Sequence, residues 1–164
     1  MSVAVLRTAL AIEEFGIKFY GDMSECVADA KGAALMRSLR DDEREHARIL
    51  QKEMDRLLEG GAPADFEPLH EYLDILPEKV FVKPEGSCLA LKDEIEALQK
   101  GIDVETKSIE MYQDAMARAI DPATRATIEE LTRWEFRHRE ILEENLRTLK
   151  LGGAWYGYGP ILEG

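Results

Sequence analysis

The sequence predicts an all-α chain that folds as a four-helix bundle made of two αα-hairpins. Two observations carry this prediction: an internal repeat with a period of 92 residues, and apolar residues at helical spacing within each copy. Residues 3–62 match residues 95–154 without a gap, and 16 of these 60 aligned positions are identical. Such self-similarity indicates that each copy is one supersecondary unit.

The first copy contains two helices with a cap between them. Apolar residues of the first helix recur at spacings of three, four and seven, on one stripe of the helix: Val3, Leu6, Leu10, Ile17 and Tyr20. We expect this helix to run from about Val3 to Ala28. Asp29 has the side chain of an N-cap for the second helix, and the pair Gly60-Gly61 ends that helix.

The second copy repeats this design, because Asp121 is followed by Pro122 at the first helical position. Between the copies lie four of the six prolines, and a connector of this length suits a crossover along the bundle, with a short helix around Glu67 to Leu76. Residues 1–164 thus form one domain: hairpin 1 at about 3–60, the crossover at 61–87, hairpin 2 at about 88–151 and a tail at 152–164. We expect the tail aromatics to cover a bundle end or a subunit interface: Trp155, Tyr156 and Tyr158.

Composition excludes several classes of function. The chain has 33 acidic and 21 basic side chains, so its net charge of -12 provides no basic surface for nucleic acid or for an anionic membrane. No uncharged apolar run approaches the roughly 18 residues of a membrane span, and the first residues lack a signal-peptide core. Cys26 and Cys88 form no C-x-x-C pair, which excludes a disulfide scaffold, a zinc knuckle and a rubredoxin-type iron site. We expect a cytoplasmic protein.

Both copies carry the motif Glu-x-x-His, as Glu43 with His46 and Glu135 with His138. A spacing of three residues places the carboxylate and the imidazole on one helix face. That face points into the core, because it also carries the apolar residues Leu39, Ile49, Leu50, Leu131, Ile141 and Leu142.

The first helix of each copy contributes one more glutamate, Glu13 or Glu105, among apolar neighbours. Glu13 lies 16 residues before Asp29 and Glu43 lies 14 residues after it, so at 1.5 Å per residue both stand about 21 to 24 Å from the hairpin end. Six side chains are therefore predicted at one level: Glu13, Glu43, His46, Glu105, Glu135 and His138. Four carboxylates in an apolar interior are costly, and two divalent cations would cancel their charge.

With this duplicated motif, the chain resembles the rubrerythrin and bacterioferritin-like branch of the ferritin-like superfamily from Val3 to Leu151. The stretch Glu43-Arg44-Glu45-His46-Ala47 is similar to the second-helix signature of rubrerythrins. The resemblance implies a ferritin-like bundle in which the four glutamates bind or bridge two iron ions and each histidine binds one. Catalysis would then act through these metals. Manganese or zinc could substitute for iron in such a donor set.

Two departures from the family bear on function. Rubrerythrins carry a C-terminal rubredoxin domain with four Cys ligands, which this sequence lacks, so electrons are expected from an external donor such as a rubredoxin-like protein. The family also has an additional glutamate three residues after the third-helix ligand, where this chain has Ser108. The resulting symmetric set of six ligands is closer to that of bacterioferritin.

Three further residues are candidates for positioning the ligands. Tyr20 and Tyr112 each follow a ligand glutamate by seven residues, so they either pack in the core or hydrogen bond a ligand carboxylate across the bundle. Asp42 could accept a hydrogen bond from the free ring nitrogen of His138, whereas its repeat partner is Trp134. The surroundings of the two metals would then differ.

These residues together predict a non-haem di-iron oxidoreductase that reduces a small oxidant, hydrogen peroxide or dioxygen, as a peroxidase or a ferroxidase. The alternative is a non-catalytic protein that binds or buffers iron. A storage cage usually needs a fifth helix, for which the chain is too short, so a homodimer is expected.

Overall fold

The computed structural model describes residues 2–62, 91–119 and 121–157. These ranges contain four helices and no strand: α1 (Ser2–Cys26), α2 (Ala30–Glu59), α3 (Leu91–Arg118) and α4 (Pro122–Lys150). The helices pack as the two expected hairpins, α1 with α2 and α3 with α4. The predicted all-α fold is confirmed, although α1 ends at Cys26 rather than at Ala28.

Aspartate caps begin the second helix of each hairpin, as the sequence predicts. The Asp29 carboxylate accepts hydrogen bonds from the backbone N–H groups of Lys31 and Gly32. The Asp121 carboxylate accepts one from Thr124, with Pro122 in the first helical turn. Each cap satisfies N–H groups that have no partner inside the helix, which fixes where the helix begins.

Two contacts define the order of the helices along the bundle. Arg56, near the end of α2, forms an ion pair of 2.5 Å with Asp121 at the α3–α4 turn. Trp155, just after α4, donates a hydrogen bond of 3.2 Å to Glu94 near the start of α3. The end of α2 and the start of α3 therefore lie at opposite ends of the bundle. The predicted crossover and its short helix lie outside the described residues.

The core consists of two apolar clusters with a polar layer between them. One cluster lies at the α1–α2 turn and includes Phe19, Met23, Leu35, Met36, Leu98 and Leu142. The other lies at the opposite end and includes Leu6, Ile12, Leu50, Met111, Ile128 and Leu131. Between them are six buried polar residues, called here the mid-bundle layer: Glu13, Glu43, His46, Glu105, Glu135 and His138.

The described part of the tail covers the bundle end at the α1–α2 turn. Trp155 is buried and packs on Gly32, where a Cβ atom would lie only 2.6 Å from two ring carbons of the tryptophan. Asn145 accepts hydrogen bonds from the N–H groups of Tyr156 and Gly157 and thereby anchors this segment. Tyr156 is exposed, and Tyr158 lies outside the described residues. Within the described ranges, none of the helices has a stretch long and apolar enough to pass through a bilayer.

Candidate metal centre

All six predicted ligands meet in the mid-bundle layer, and none is more than 3% exposed. One comes from α1, two from α2, one from α3 and two from α4, so all four helices contribute. The sequence predicts that these residues lie at equal distances from the hairpin turns, and in the structure they do lie at one level of the bundle. Burial at this depth means that any charge in the layer must be balanced locally.

Glu43 and Glu135 each reach both histidines with their two oxygens. The Oε1 atom of Glu43 lies 3.1 Å from His138 Nδ1, and its Oε2 atom lies 3.4 Å from His46 Nδ1. The Oε1 atom of Glu135 lies 3.0 Å from His46 Nδ1, and its Oε2 atom lies 3.4 Å from His138 Nδ1. This arrangement suits two carboxylates that bridge two ions, one at each imidazole. One ligand atom from each of these four residues lies within 4.8 Å of all the others.

The other two glutamates flank this central group, one on each side. The Oε2 atom of Glu13 lies 3.3 Å from His46 Nδ1, and the Oε1 atom of Glu105 lies 4.0 Å from His138 Nδ1. Each histidine therefore has the flanking glutamate of its own hairpin beside it. The layer has two similar halves, one around His46 and one around His138.

Both tyrosines hydrogen bond a flanking glutamate of the opposite hairpin. The Tyr20 hydroxyl donates to Glu105 Oε1, and the Tyr112 hydroxyl donates to Glu13 Oε1. Of the two possibilities left open by the sequence, the structure therefore has the hydrogen bond across the bundle. Such contacts fix the orientation of a carboxylate that would otherwise rotate freely.

The two histidines differ in their outer neighbours. The Nε2 atom of His138 lies 3.4 Å from Asp42 Oδ2, on the side of the ring away from the glutamates. His46 packs against Trp134, with ring centroids 5.9 Å apart, and the same indole lies 6.5 Å from the His138 ring. Because Asp42 and Trp134 occupy equivalent repeat positions, this is a true difference between the two halves of the layer.

Burial and mutual contacts set the protonation of the layer. Burial, together with the charges of Glu135 and Glu43, raises the pKa of both Glu13 and Glu105 well above its usual range. Burial also disfavours ionised Glu43, but its close contacts with Glu13 and the two histidines outweigh burial and lower the pKa of Glu43.

The remaining three groups follow the same logic. Burial opposes a charged imidazole, but the surrounding carboxylates outweigh it and raise the pKa values of both His46 and His138. Burial and the charge of Glu43 disfavour ionised Glu135, yet its close contacts with the two histidines lower its pKa overall. In the protein without metal, these directions favour protonated Glu13 and Glu105, ionised Glu43 and Glu135, and protonated imidazoles. In that arrangement, protons balance the charge of the layer.

Several buried ligand atoms form no hydrogen bond with any described residue: Glu13 Oε2, Glu135 Oε1, His46 Nδ1 and both ring nitrogens of His138. Buried polar atoms of proteins almost always have a hydrogen-bond partner, so such a group of exceptions needs a cause. Glu13 Oε2 and Glu135 Oε1 lie 3.3 and 3.0 Å from His46 Nδ1, and a bound cation would satisfy these three atoms together. Carboxylate oxygen and imidazole nitrogen suit iron or manganese, and zinc competes for the same donors. The residues present thus fit a metal centre.

Gly16 supports the layer in a way that the sequence analysis does not predict. A Cβ atom at this position would lie 3.1 Å from both Cγ and Cδ of Glu43, closer than most real contacts. Glycine inside a helix is unfavourable, so the space that it leaves for Glu43 explains its presence. Its position three residues after Glu13, on the same helix face, is the sequence signal for this role.

Ser108, the repeat partner of Gly16, is buried, and its hydroxyl donates a hydrogen bond of 3.1 Å to the Val104 carbonyl. The hydroxyl is thus occupied by the backbone of its own helix. The position at which rubrerythrins carry an additional glutamate is therefore taken here by a residue whose one hydroxyl serves the helix rather than the layer.

Known structures share this fold. A hypothetical protein from Pyrococcus furiosus has a TM-score of 0.73 at 17% sequence identity, with 94% of each chain covered. A proposed ferritin-like diiron-carboxylate protein from Thermotoga maritima has a TM-score of 0.65 at 27% identity, over 90% of this chain and 95% of that one. A two-domain protein from Anabaena variabilis, with DJ-1/ThiJ/PfpI-like and ferritin-like domains, has a TM-score of 0.67 at 16% identity; the match covers 99% of this chain and 40% of that chain.

Sequence comparison identifies the family directly. No curated protein matches the chain. The family model for rubrerythrin, in contrast, matches residues 4–146, which include all six residues of the mid-bundle layer. The chain, with its ferritin-like bundle and its buried cluster of glutamates and histidines, belongs to the rubrerythrin family.

Proposed function

We propose that this protein is a non-haem di-iron oxidoreductase that reduces hydrogen peroxide or dioxygen. The observation that carries the proposal is the mid-bundle layer, in which two carboxylates each reach both imidazoles. Membership of the rubrerythrin family supports it. The Thermotoga maritima protein, 27% identical over most of its length, is itself described as diiron-carboxylate.

The six residues of the layer would hold two iron ions, one at each histidine. Glu43 and Glu135 would bridge the ions, while Glu13 and Glu105 would complete the two halves. Four carboxylates then cancel the charge of two ferrous ions, so the loaded layer is neutral without its protons. When bound, the ferrous ions supply two electrons, which with two protons convert one hydrogen peroxide into two water molecules.

The chain's own residues prepare this site. Burial excludes bulk water from the layer, which strengthens every electrostatic contact within it. The hydroxyl groups of Tyr20 and Tyr112 each hold one carboxylate oxygen of a flanking glutamate. Asp42 Oδ2 lies 3.4 Å from Nε2 of His138, opposite the Nδ1 atom that faces the glutamates, where it would orient the ring.

Electrons must return to the site after each turnover. The sequence has no C-x-x-C pair that could hold a rubredoxin-type iron, so the proposal includes an external one-electron donor such as a rubredoxin-like protein. It also includes a cytoplasmic homodimer, and a mass measurement in solution separates the dimer from a monomer or a cage.

The test is an anaerobic titration with ferrous iron, followed by rapid mixing with hydrogen peroxide or with dioxygen at matched concentration. Two irons per chain and fast oxidation by peroxide would support a peroxidase, whereas faster oxidation by dioxygen would indicate a ferroxidase. Slow oxidation that is insensitive to peroxide would favour the iron buffer instead. The double variant Glu43→Ala with Glu135→Ala should lose iron binding, and the exposed Glu14→Ala should not. Equal binding by the double variant would refute the proposed site.

A further inference from the structure

We propose that the two metal positions of the layer differ in affinity and fill in a fixed order, the one at His138 first. This inference rests on the proposed metal binding but not on any redox reaction. Asp42 and Trp134 lie outside the ligand set. In this inference, they make the metal affinities of two otherwise similar halves of the layer unequal.

His138 is the histidine with the better support. Its Nε2 atom lies 3.4 Å from Asp42 Oδ2, so a carboxylate lies next to the ring nitrogen that does not face the glutamates. Metal-bound histidine usually donates this second N–H to such an acceptor, which fixes the tautomer and makes the ligating nitrogen more basic. Asp42 also adds a negative charge beside the position that a cation would occupy.

His46 has a different environment at the equivalent place. The residue that corresponds to Asp42 is Trp134, whose ring packs against the imidazole of His46 at 5.9 Å between centroids. The indole N–H is a donor only, so Trp134 offers no acceptor to an imidazole N–H. A tryptophan also carries no charge that could attract a cation to this half.

The expected difference in metal affinity between the two positions follows from the general effect of a carboxylate next to a metal-bound histidine. Loss of a carboxylate that supports a metal-bound histidine typically weakens metal affinity by about 10- to 100-fold. We therefore expect the two stepwise dissociation constants to differ by about this factor, in addition to the difference that repulsion between the two ions causes. Repulsion alone would also separate the two steps, so the experiment must show which half fills first.

The experiment is a calorimetric titration of the metal-free protein with Zn²⁺, which binds the same donors and undergoes no oxidation. The variant Asp42→Asn should weaken the tight step by about 10- to 100-fold and leave the weak step unchanged. The matched control is Asp41→Asn, because Asp41 is the adjacent aspartate and pairs with Arg40 and Arg44 at the surface. This control should titrate like the unmodified protein.

Two further variants identify the halves directly. His46→Ala should retain one tight Zn²⁺ site, whereas His138→Ala should retain only a weak one. Trp134→Asp places a carboxylate beside His46 and should bring the two steps closer together, leaving only the separation that repulsion between the ions causes. Circular dichroism of each variant verifies that the bundle is intact. With Mn²⁺ in place of Zn²⁺, electron paramagnetic resonance should detect an isolated ion at one equivalent and a coupled pair at two.

The possible outcomes separate the inference from the proposed function. A tight step that depends on Asp42 and His138 supports ordered filling. Two steps that respond equally to Asp42→Asn, or a tight step that survives in His138→Ala, would overturn the order while leaving the metal centre in place. A protein that binds no Zn²⁺, Mn²⁺ or ferrous iron would overturn both.

Discussion

Metal loading of the mid-bundle layer should release protons, and their number follows from the structure. Without metal, Glu13 and Glu105 are held protonated by burial and by neighbouring carboxylates. His46 and His138 are held as imidazolium by the carboxylates around them, although burial opposes their charge. Metal ligands must be carboxylates and neutral imidazoles, so all four of these groups must lose their proton.

The expected release is about four protons for two divalent ions at pH 7, or about two per ion. Each raised pKa belongs to a group that must deprotonate before it can bind metal, so protons compete with metal and apparent affinity increases with pH. With about two protons per ion, the apparent affinity should increase on the order of 100-fold per pH unit. The direction would be the same for Zn²⁺, Mn²⁺ and ferrous iron.

Calorimetry in buffers of different ionisation enthalpy measures this number, because the observed heat changes linearly with the buffer's own heat of protonation. The variant Glu13→Gln provides an internal check, since an amide has no proton to release and the count should fall by about one. A release close to zero in the unmodified protein would refute the reasoning. It would mean that the four carboxyl groups and both imidazoles are already deprotonated before metal binds, contrary to the local neutrality that burial demands.

Four substitutions test the supporting contacts. Tyr20→Phe and Tyr112→Phe each remove one hydrogen bond to a flanking glutamate and should weaken Zn²⁺ affinity by about 10-fold or more in competition with a chelator; unchanged affinity in both would contradict a positioning role. Gly32→Ala adds a Cβ atom 2.6 Å from the ring of Trp155, so denaturant unfolding should show a loss of about 1–3 kcal/mol and the tryptophan emission should shift to the red; native emission would contradict the packing. Gly16→Ala adds a Cβ atom 3.1 Å from Glu43 and should displace this side chain, so Zn²⁺ affinity should fall while the free energy of unfolding changes little. Denaturant unfolding and Zn²⁺ titration of the same variant measure the two effects. A loss of stability without a loss of affinity would contradict the role of Gly16 in the layer.

Much of the fold follows from local rules that the sequence displays. The caps at Asp29 and Asp121 fix where α2 and α4 begin, and these two positions set the height of the ligands on neighbouring helices. The heights agree because each hairpin has the same count from its turn. The repeat then places the second half of the layer by symmetry.

Other features depend on how the two hairpins dock, which no local pattern contains. The seven-residue spacing places Tyr20 on the correct stripe of α1, but only the position of α3 decides that its hydroxyl meets Glu105. Likewise, the pairing of Trp155 with Glu94 joins residues that are 61 positions apart. The role of Gly16 has only a weak sequence signal, its position on the same helix face as Glu13, because an absent side chain adds no hydrophobic or charge pattern.

The contacts between the hairpins at the layer occur in matched pairs, and this has a consequence for the origin of the chain. The hydrogen bond of Tyr20 with Glu105 has its counterpart in that of Tyr112 with Glu13. The two tyrosines are one repeat period of 92 residues apart, and so are the two glutamates. A single hairpin that associates with a second copy of itself about a twofold axis would form the same set of contacts. A symmetric dimer of half-length chains could therefore have preceded the present protein. After fusion of the two copies, each half could accumulate substitutions independently of the other.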